Sequence, residues 1–249
     1  MKKAIKFVLL TAFIATSLSG FAQKPQAVYS FIRQVHDFDW YEEQAKAWKQ
    51  EIDDGTTNAM AWVYWNEANR MAAFSNSEEK WHNNQTETIL KSAETHIPNT
   101  FEYYYLKAKY AWSAEDAWNT KGGNDDFEHY IFKAQEIKPY DDLLLSFLLN
   151  YYILKNDKAN IELVSKKWYE SNEIPQEILT TLYNMLISLD ENAVLLVNGD
   201  NDTYPCWVLQ YAKNIRPDVL VMNISFTCGF SGLTSKTLCL EKNHYLSES

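Results

Sequence analysis

Proline recurs in this chain where one helical pattern ends and the next begins, and this punctuation constrains the fold more than any other feature. Pro98, Pro139 and Pro175 stand 41 and 36 residues apart, each after a polar helix end. The first two close related motifs, Ala-x-x-x-Ile-Pro from Ala93 and Ala-x-x-Ile-x-Pro from Ala134. The third follows Lys166-Lys-Trp-Tyr169 and Ile174, and a weaker copy ends at Gly55, 43 residues before Pro98. Proline suits a helix's first turn, where its missing N–H has no partner to lose. Between these points apolar residues recur every three to four positions. The spacing predicts helices over 25–51 (Val28, Phe31, Ile32, Val35, Phe38, Trp40, Ala45, Trp48), 57–73 and 77–96. Further helices are predicted from Pro98 through Ala111, then over 127–137, 140–154, 158–171 and 175–189.

Helix pairs repeating at this period resemble tetratricopeptide-type repeats over about residues 26–189. The spacing departs from the strict 34-residue pattern of that family, and its small packing positions are only partly present. An irregular helical bundle is the competing architecture. In either case a helix pair has an apolar face it cannot bury alone, so neighbours stack into one core. Stacks of this kind usually present a surface to a partner, and a protein partner is therefore expected.

Residues 1–22 have another character. Lys2, Lys3 and Lys6 precede an apolar run from Phe7 to Ile14, and Gly20 and Ala22 flank a cleavage-like site. This is the composition of a secretory signal peptide, and the run is shorter than the 20 or so residues a membrane span needs. The expected location is periplasmic or extracellular, with no membrane span left after removal of the signal. Without its three signal lysines the chain has 20 basic and 33 acidic residues, a charge of −13. Such a balance disfavours nucleic acid and anionic lipid as partners and suits a basic or neutral one.

Cys206, Cys228 and Cys239 form neither a disulfide framework nor a zinc motif, although export permits a Cys228–Cys239 bridge. His36, His82, His96, His129 and His244 show no ligand pair at helical spacing. Only seven glycines are present, which disfavours a many-stranded sandwich. The dense aromatics fit either a carbohydrate-binding surface or core packing, and their helical spacing favours the core.

At Asp190 the period changes. The run 193–197 lacks helical gaps and reads as a fully buried strand, and 219–224 reads as a second. Between them 205–214 reads as a helix, capped by Asp202 or Thr203, with Pro205 in its first turn. Strand, crossover helix and parallel strand form a βαβ unit, normally right-handed. The fold class is therefore mainly α: tetratricopeptide-like antiparallel helix pairs, then a small and incomplete βαβ unit. The expected organisation is a signal peptide (1–22), a helical repeat domain (23–190), the βαβ unit (191–225) and an irregular tail (226–249).

Ligands of βαβ units sit at the strands' carboxyl ends, beside the helix N-terminus. Here that place is Asn198-Gly199-Asp200-Asn201-Asp202-Thr203, the candidate ligand-binding residues. Asp200 and Asp202 are candidate ligands of a divalent cation through oxygen, and no other cofactor is indicated. A haloacid-dehalogenase nucleophile is a second reading, but Asn198-Gly199 intervenes after the strand and Thr203 follows Asp202 directly, so that motif fails in two places. Backbone N–H groups holding a polar ligand are a third. Against these stands a purely structural turn: Gly199 at positive φ, Asp200 and Asn201 bonding their own backbone, and Asp202 capping the helix.

Asn198-Gly-Asp-Asn-Asp-Thr-Tyr-Pro-Cys-Trp207, with Gln210-Tyr211, Ile215-Arg-Pro-Asp-Val219 and Asn223-Ile-Ser225, resembles a segment of a bacterial family of large membrane proteins related to protein mannosyltransferases. The segment lies in their extramembrane carboxy-terminal part, and the resemblance covers about residues 192–225. It implies an envelope context and an α/β unit, not transferase chemistry. The tail from Phe226 shows no clear period, so the domain is expected to continue in nature, with truncation or a frame shift after about Ser225. The expected function is an exported binding or scaffold protein of the bacterial cell envelope. The alternative is a metal-dependent enzyme acting on glycans or their carriers through Asp200 and Asp202.

Overall fold

The structure is a computed structural model describing residues 24–29, 33–75, 85–113 and 125–224. The signal segment, Trp81, His82, the glycine pair at 122–123, Cys228, Cys239, His244 and the tail lie outside the described residues. Among the described residues are nine helices and two strands. The helices are α1 (Phe38–Asp53), α2 (Met60–Ser75), α3 (Gln85–His96), α4 (Phe101–Ser113), α5 (Asp125–Ile137), α6 (Asp142–Leu154), α7 (Lys158–Ser171), α8 (Gln176–Ile187) and α9 (Asp200–Lys213). The strands are β1 (Val194–Val197), between α8 and α9, and β2 (Leu220–Asn223), after α9. The protein is thus mainly α, with helices packed in pairs and a small parallel β1–α9–β2 unit at the end. No helix among the described residues is long and apolar enough to cross a membrane.

The chain divides into two compact units. The first contains 24–28, α1 and α2. Here the helix expected from residue 25 begins only at Phe38, because Asp37 accepts a hydrogen bond from the Trp40 N–H and fixes the start. Residues 24–28 run beside α1 instead. Gln26 N–H donates to the buried Gln44 Oε1 at 2.7 Å, and the Trp48 indole donates to the Gln26 carbonyl at 2.8 Å. Val28 is buried although the segment is not helical, so its apolar spacing does not mark a helical face. On α2 Trp62, Trp65, Ala68 and Met71 are buried, and the buried Glu67 pairs with Arg70 at 3.1 Å.

The second unit contains 29, 33–35 and everything from Thr86 onward. In it α4 pairs with α5, α6 with α7, and α5 leans on α6. Phe101, Phe127, Ile131, Leu144, Leu145, Leu148, Leu149 and Leu186 are fully buried. Burial of each such side chain is worth about 1.5–3 kcal/mol.

The repeat survives as geometry. Ile97-Pro98-Asn99-Thr100 and Lys138-Pro139-Tyr140-Asp141 form the same turn. Proline occupies the second position, the next residue has φ +61 or +55°, and the fourth N–H returns to the first carbonyl at 3.4 Å. This is the type II pattern, and its last residue caps the next helix. The Thr100 hydroxyl accepts from Tyr103 N–H, and the Asp141 carboxylate from Leu143 N–H. Ala93 and Ala134 are both fully buried. Lys138 also reaches back within its pair to the buried Glu102 at 2.7 Å. Pro175 departs from the pattern and stands just before α8 with φ −55°.

The shortage of glycine has a structural answer. Asn99, Asn156, Asn172, Asn192 and Asn214 all take positive φ at element ends. Asparagine tolerates this conformation because its short amide bonds locally, and it replaces glycine at these turns.

Asp142 and Glu173 form an acidic pair in this unit, with Arg33 bonded to Glu173 at 2.5 Å. Burial, before any other cause, holds both carboxyls above the usual range, and neighbouring carboxylates add to it. A carboxyl raised on folding stabilises the fold at low pH, and that contribution is lost as pH climbs through the raised value. Asp142→Asn should therefore gain thermal stability over the wild type near pH 7 and converge with it below about pH 4. Thermal melts across that range check this.

Candidate functional site

β1 and β2 pair in parallel, with Val194 opposite Leu220, Leu195 opposite Val221, Leu196 opposite Met222 and Val197 opposite Asn223. The expected strands are present, but they are not fully buried. Leu195, Val197, Val221 and Asn223 share one face, and α9 packs against β2. On the other face Val194 and Leu196 are 43% and 62% exposed. Two strands with one helix cover one side only.

The chain leaves β1 at Asn198 and pivots on Gly199, at φ +89° and ψ 179°. This region is essentially open to glycine alone. A Cβ there would meet no atom within 4 Å, so a substitution costs backbone strain and not a clash. Gly199→Ala should destabilise the second unit by about 1–3 kcal/mol, read as a shift in the urea midpoint at unchanged slope.

Neither Asp202 nor Thr203 caps α9, contrary to expectation. The helix begins at Asp200, Gly199 stands at the cap position, and no side chain caps it. Asp200 and Asp202 in the first turn suit the positive end of the helix dipole, which lets the helix start earlier than the turn-forming letters suggest. Pro205 consequently falls in the second turn, and its missing N–H leaves the Asn201 carbonyl without the usual helical donor.

The hinge closes on itself. Gly199 N–H donates to Asn223 Oδ1 at 3.3 Å, across to the end of β2. The fully buried Thr203 hydroxyl donates to the Gly199 carbonyl at 2.6 Å. Asn198, Asp200 and Asn201 are exposed, and Asp202 is half-buried. Residues two apart on a helix do not face each other, so α9 does not bring the two carboxylates together. Asp200 turns to the Tyr204 hydroxyl, whereas Asp202 lies toward Cys206. Among the described residues no group of three His, Cys, Asp or Glu side chains is placed to hold a metal.

Two groups behind the hinge are of reactive residue types, but burial quiets both. Tyr204 accepts a hydrogen bond from the buried Asn150 of α6 and shares one with Asp200. Burial first, then the Asp200 charge, holds its phenol far above the ordinary value. Burial, followed by Asp202, pushes the Cys206 thiol up to about 12. Neither ionises near neutral pH.

Sequence reasoning missed three residues that hold this unit. Asn150 is one, although a lone amide in an apolar run from Leu143 to Leu154 is a visible signal. Gln210 is the second, its buried amide donating to the Arg216 and Val219 carbonyls at 2.9 and 2.7 Å. Arg216 is the third, at φ +45°. Its guanidinium donates to the carbonyls of Leu186, Leu189 and Asp190 at 2.8–3.0 Å, and to both oxygens of Asp218. Asp218 in turn accepts from the Asn192 N–H at 3.0 Å, and the Arg216 bonds hold its carboxyl well below the usual range. One side chain thus ties the end of α8 to the turn before β2.

The arrangement defines a class: a parallel βαβ unit locked to the helix that precedes it. Residues 179–229 match the family described as TMEM260-associated domain 2, about a fifth of the chain. The match begins inside α8 and includes Arg216 and the three carbonyls it holds. No curated protein and no solved structure matches the chain.

Proposed function

We propose that the protein is an exported binding or scaffold module of the bacterial cell envelope. Its helix pairs, tetratricopeptide-like in spacing, form the partner-binding body. The α8–β1–α9–β2 unit is its link to the mannosyltransferase-related membrane proteins that the segment 192–225 resembles. The observation that carries this reading is the pairing of the helices, with the same type II turn repeated at Pro98 and Pro139; at the hinge, Gly199, Thr203 and Asn223 bond one another. The amino-terminal composition supports export and an envelope context.

The test joins partner capture with metal titration. The mature chain, immobilised, should retain one envelope protein in fixed stoichiometry, and the purified partner should rebind. Substituting the exposed Phe74 or Tyr110 by serine should weaken that rebinding if the helix pairs are the body. Failure of any envelope protein to rebind sinks the proposal. Magnesium, calcium or manganese should leave the melting midpoint unchanged. A metal-linked rise that Asp200→Asn abolishes would favour the enzyme reading instead.

A further inference from the structure

In the first unit a linear segment of the chain is already seated on a helix as a bound peptide would be. Residues 24–28 form neither helix nor strand, yet both main-chain groups of Gln26 are held by side chains of α1. The Gln26 N–H donates to Gln44 Oε1 at 2.7 Å, and the Trp48 indole N–H donates to the Gln26 carbonyl at 2.8 Å. Gln44 is 1% exposed and Trp48 8%. A buried amide oxygen needs a donor, and Gln44 takes this one from outside the helix pair. Main-chain bonds of this kind accept many sequences, and specificity falls to the side chains beside them. Val28, two residues on, is 4% exposed.

Beside the segment the groove stays open. A cavity of about 510 Å³ lies between Lys24-Pro25 and α1. From the α1 side Glu43, Glu51 and Asp54 line it against one cation, Lys46, which bonds Glu42 at 3.0 Å. The seated segment brings a second cation, Lys24. A wall of this sign favours a positively charged occupant. We propose that this groove is a docking site for a linear, lysine-bearing segment of a partner protein, and that residues 24–28 occupy it in cis until the partner displaces them. The inference rests on the binding reading above and names the surface and the chemistry of the partner. A short tether holds the chain's own segment at an effective concentration near millimolar. The partner therefore wins through further lysines set in the cavity that Lys24 leaves open.

Fluorescence anisotropy on the full mature chain tests this, with a labelled peptide of the 24–29 sequence preceded by two extra lysines. The peptide should bind Gln26→Pro, whose own segment cannot donate to Gln44, about tenfold or more tighter than it binds the wild type. Methylating the peptide's glutamine nitrogen should remove this binding, and so should adding Gln44→Leu to the variant. Exchanging the peptide's lysines for glutamate should weaken it at least tenfold. Equal binding by the methylated peptide, or no binding to Gln26→Pro, overturns the proposal. Loss of the folded unit in Gln26→Pro also overturns it, because a displaceable segment is one the unit survives without. Hydrogen exchange on the wild type needs no substitution. The Gln26 amide should exchange about a hundredfold or more faster than amides inside α1. Exchange at the same rate would make the segment inseparable from the unit and would end the proposal. A captured envelope protein that rebinds Gln44→Leu unchanged removes this site alone and leaves the binding reading standing.

Discussion

Arg216→Ala should lower the melting midpoint of the second unit by roughly 5–10 °C. Three carbonyls at the end of α8 and in the turn after it lose a charged donor together. Helix ends leave their last carbonyls unsatisfied, and here a guanidinium serves in place of a helical cap. Asp218 then loses the cation that depresses its carboxyl, and the Asn192 bond loses its rigid acceptor. Arg216→Lys should recover less than half of the loss, since an ammonium cannot reproduce a planar fork serving carbonyls and carboxylate at once. Asp218→Asn should cost less than Arg216→Ala, because the carbonyl bonds remain. Calorimetry on the three variants ranks them. If Arg216→Ala melts with the wild type, α8 is not tied to the βαβ unit through this residue.

How much of this was legible in the sequence depended on the range of each interaction. The 3.6 period located α4 to α8 within a few residues, because each buries one stripe of its own side chains. The Ala93–Pro98 and Ala134–Pro139 motifs read correctly as equivalent, because a type II turn is a local event. The start of α1 did not read correctly: Val28 has helical spacing to the residues after it, but it belongs to a non-helical segment bonded to α1 through Gln26, where a buried residue follows no helical period. The burial of β1 and β2 was overestimated because an unbroken apolar run says nothing about how many layers cover it. At the candidate site, Gly199 was legible as a positive-φ pivot. The start of α9 was not, since Asp200, Asn201 and Asp202 serve equally as turn formers and as first-turn residues. Asn150 stands 54 residues from Tyr204, and Arg216 stands 30 from Leu186. At that separation local sequence does not name the partner, although the lone amide of Asn150 in its apolar run does signal that one is needed.

The Tyr204 bond is the case in which packing and hydrogen bonding are separable. Tyr204 lies 9% exposed between Trp168 and Trp207, at ring distances of 5.5 and 5.9 Å. Tyr204→Ala empties this space and should cost about 3–5 kcal/mol, as for other buried aromatic truncations. Tyr204→Phe keeps the ring and removes only the hydroxyl. The amide of Asn150, 4% exposed, then loses its acceptor inside the core. The expected cost is about 1–3 kcal/mol, the desolvation of an unsatisfied buried polar group. Asn150→Leu alone removes the donor to the phenol oxygen, while the hydroxyl keeps its bond with Asp200. In the Tyr204→Phe, Asn150→Leu double variant both polar partners are gone, so its loss should be well below the sum of the two single losses. A urea-unfolding cycle over the four proteins measures this coupling. Strict additivity would mean that the two side chains do not meet in solution, and that ring packing of Tyr204 on Trp168 of α7, without the Asn150 bond, holds the helix behind the hinge.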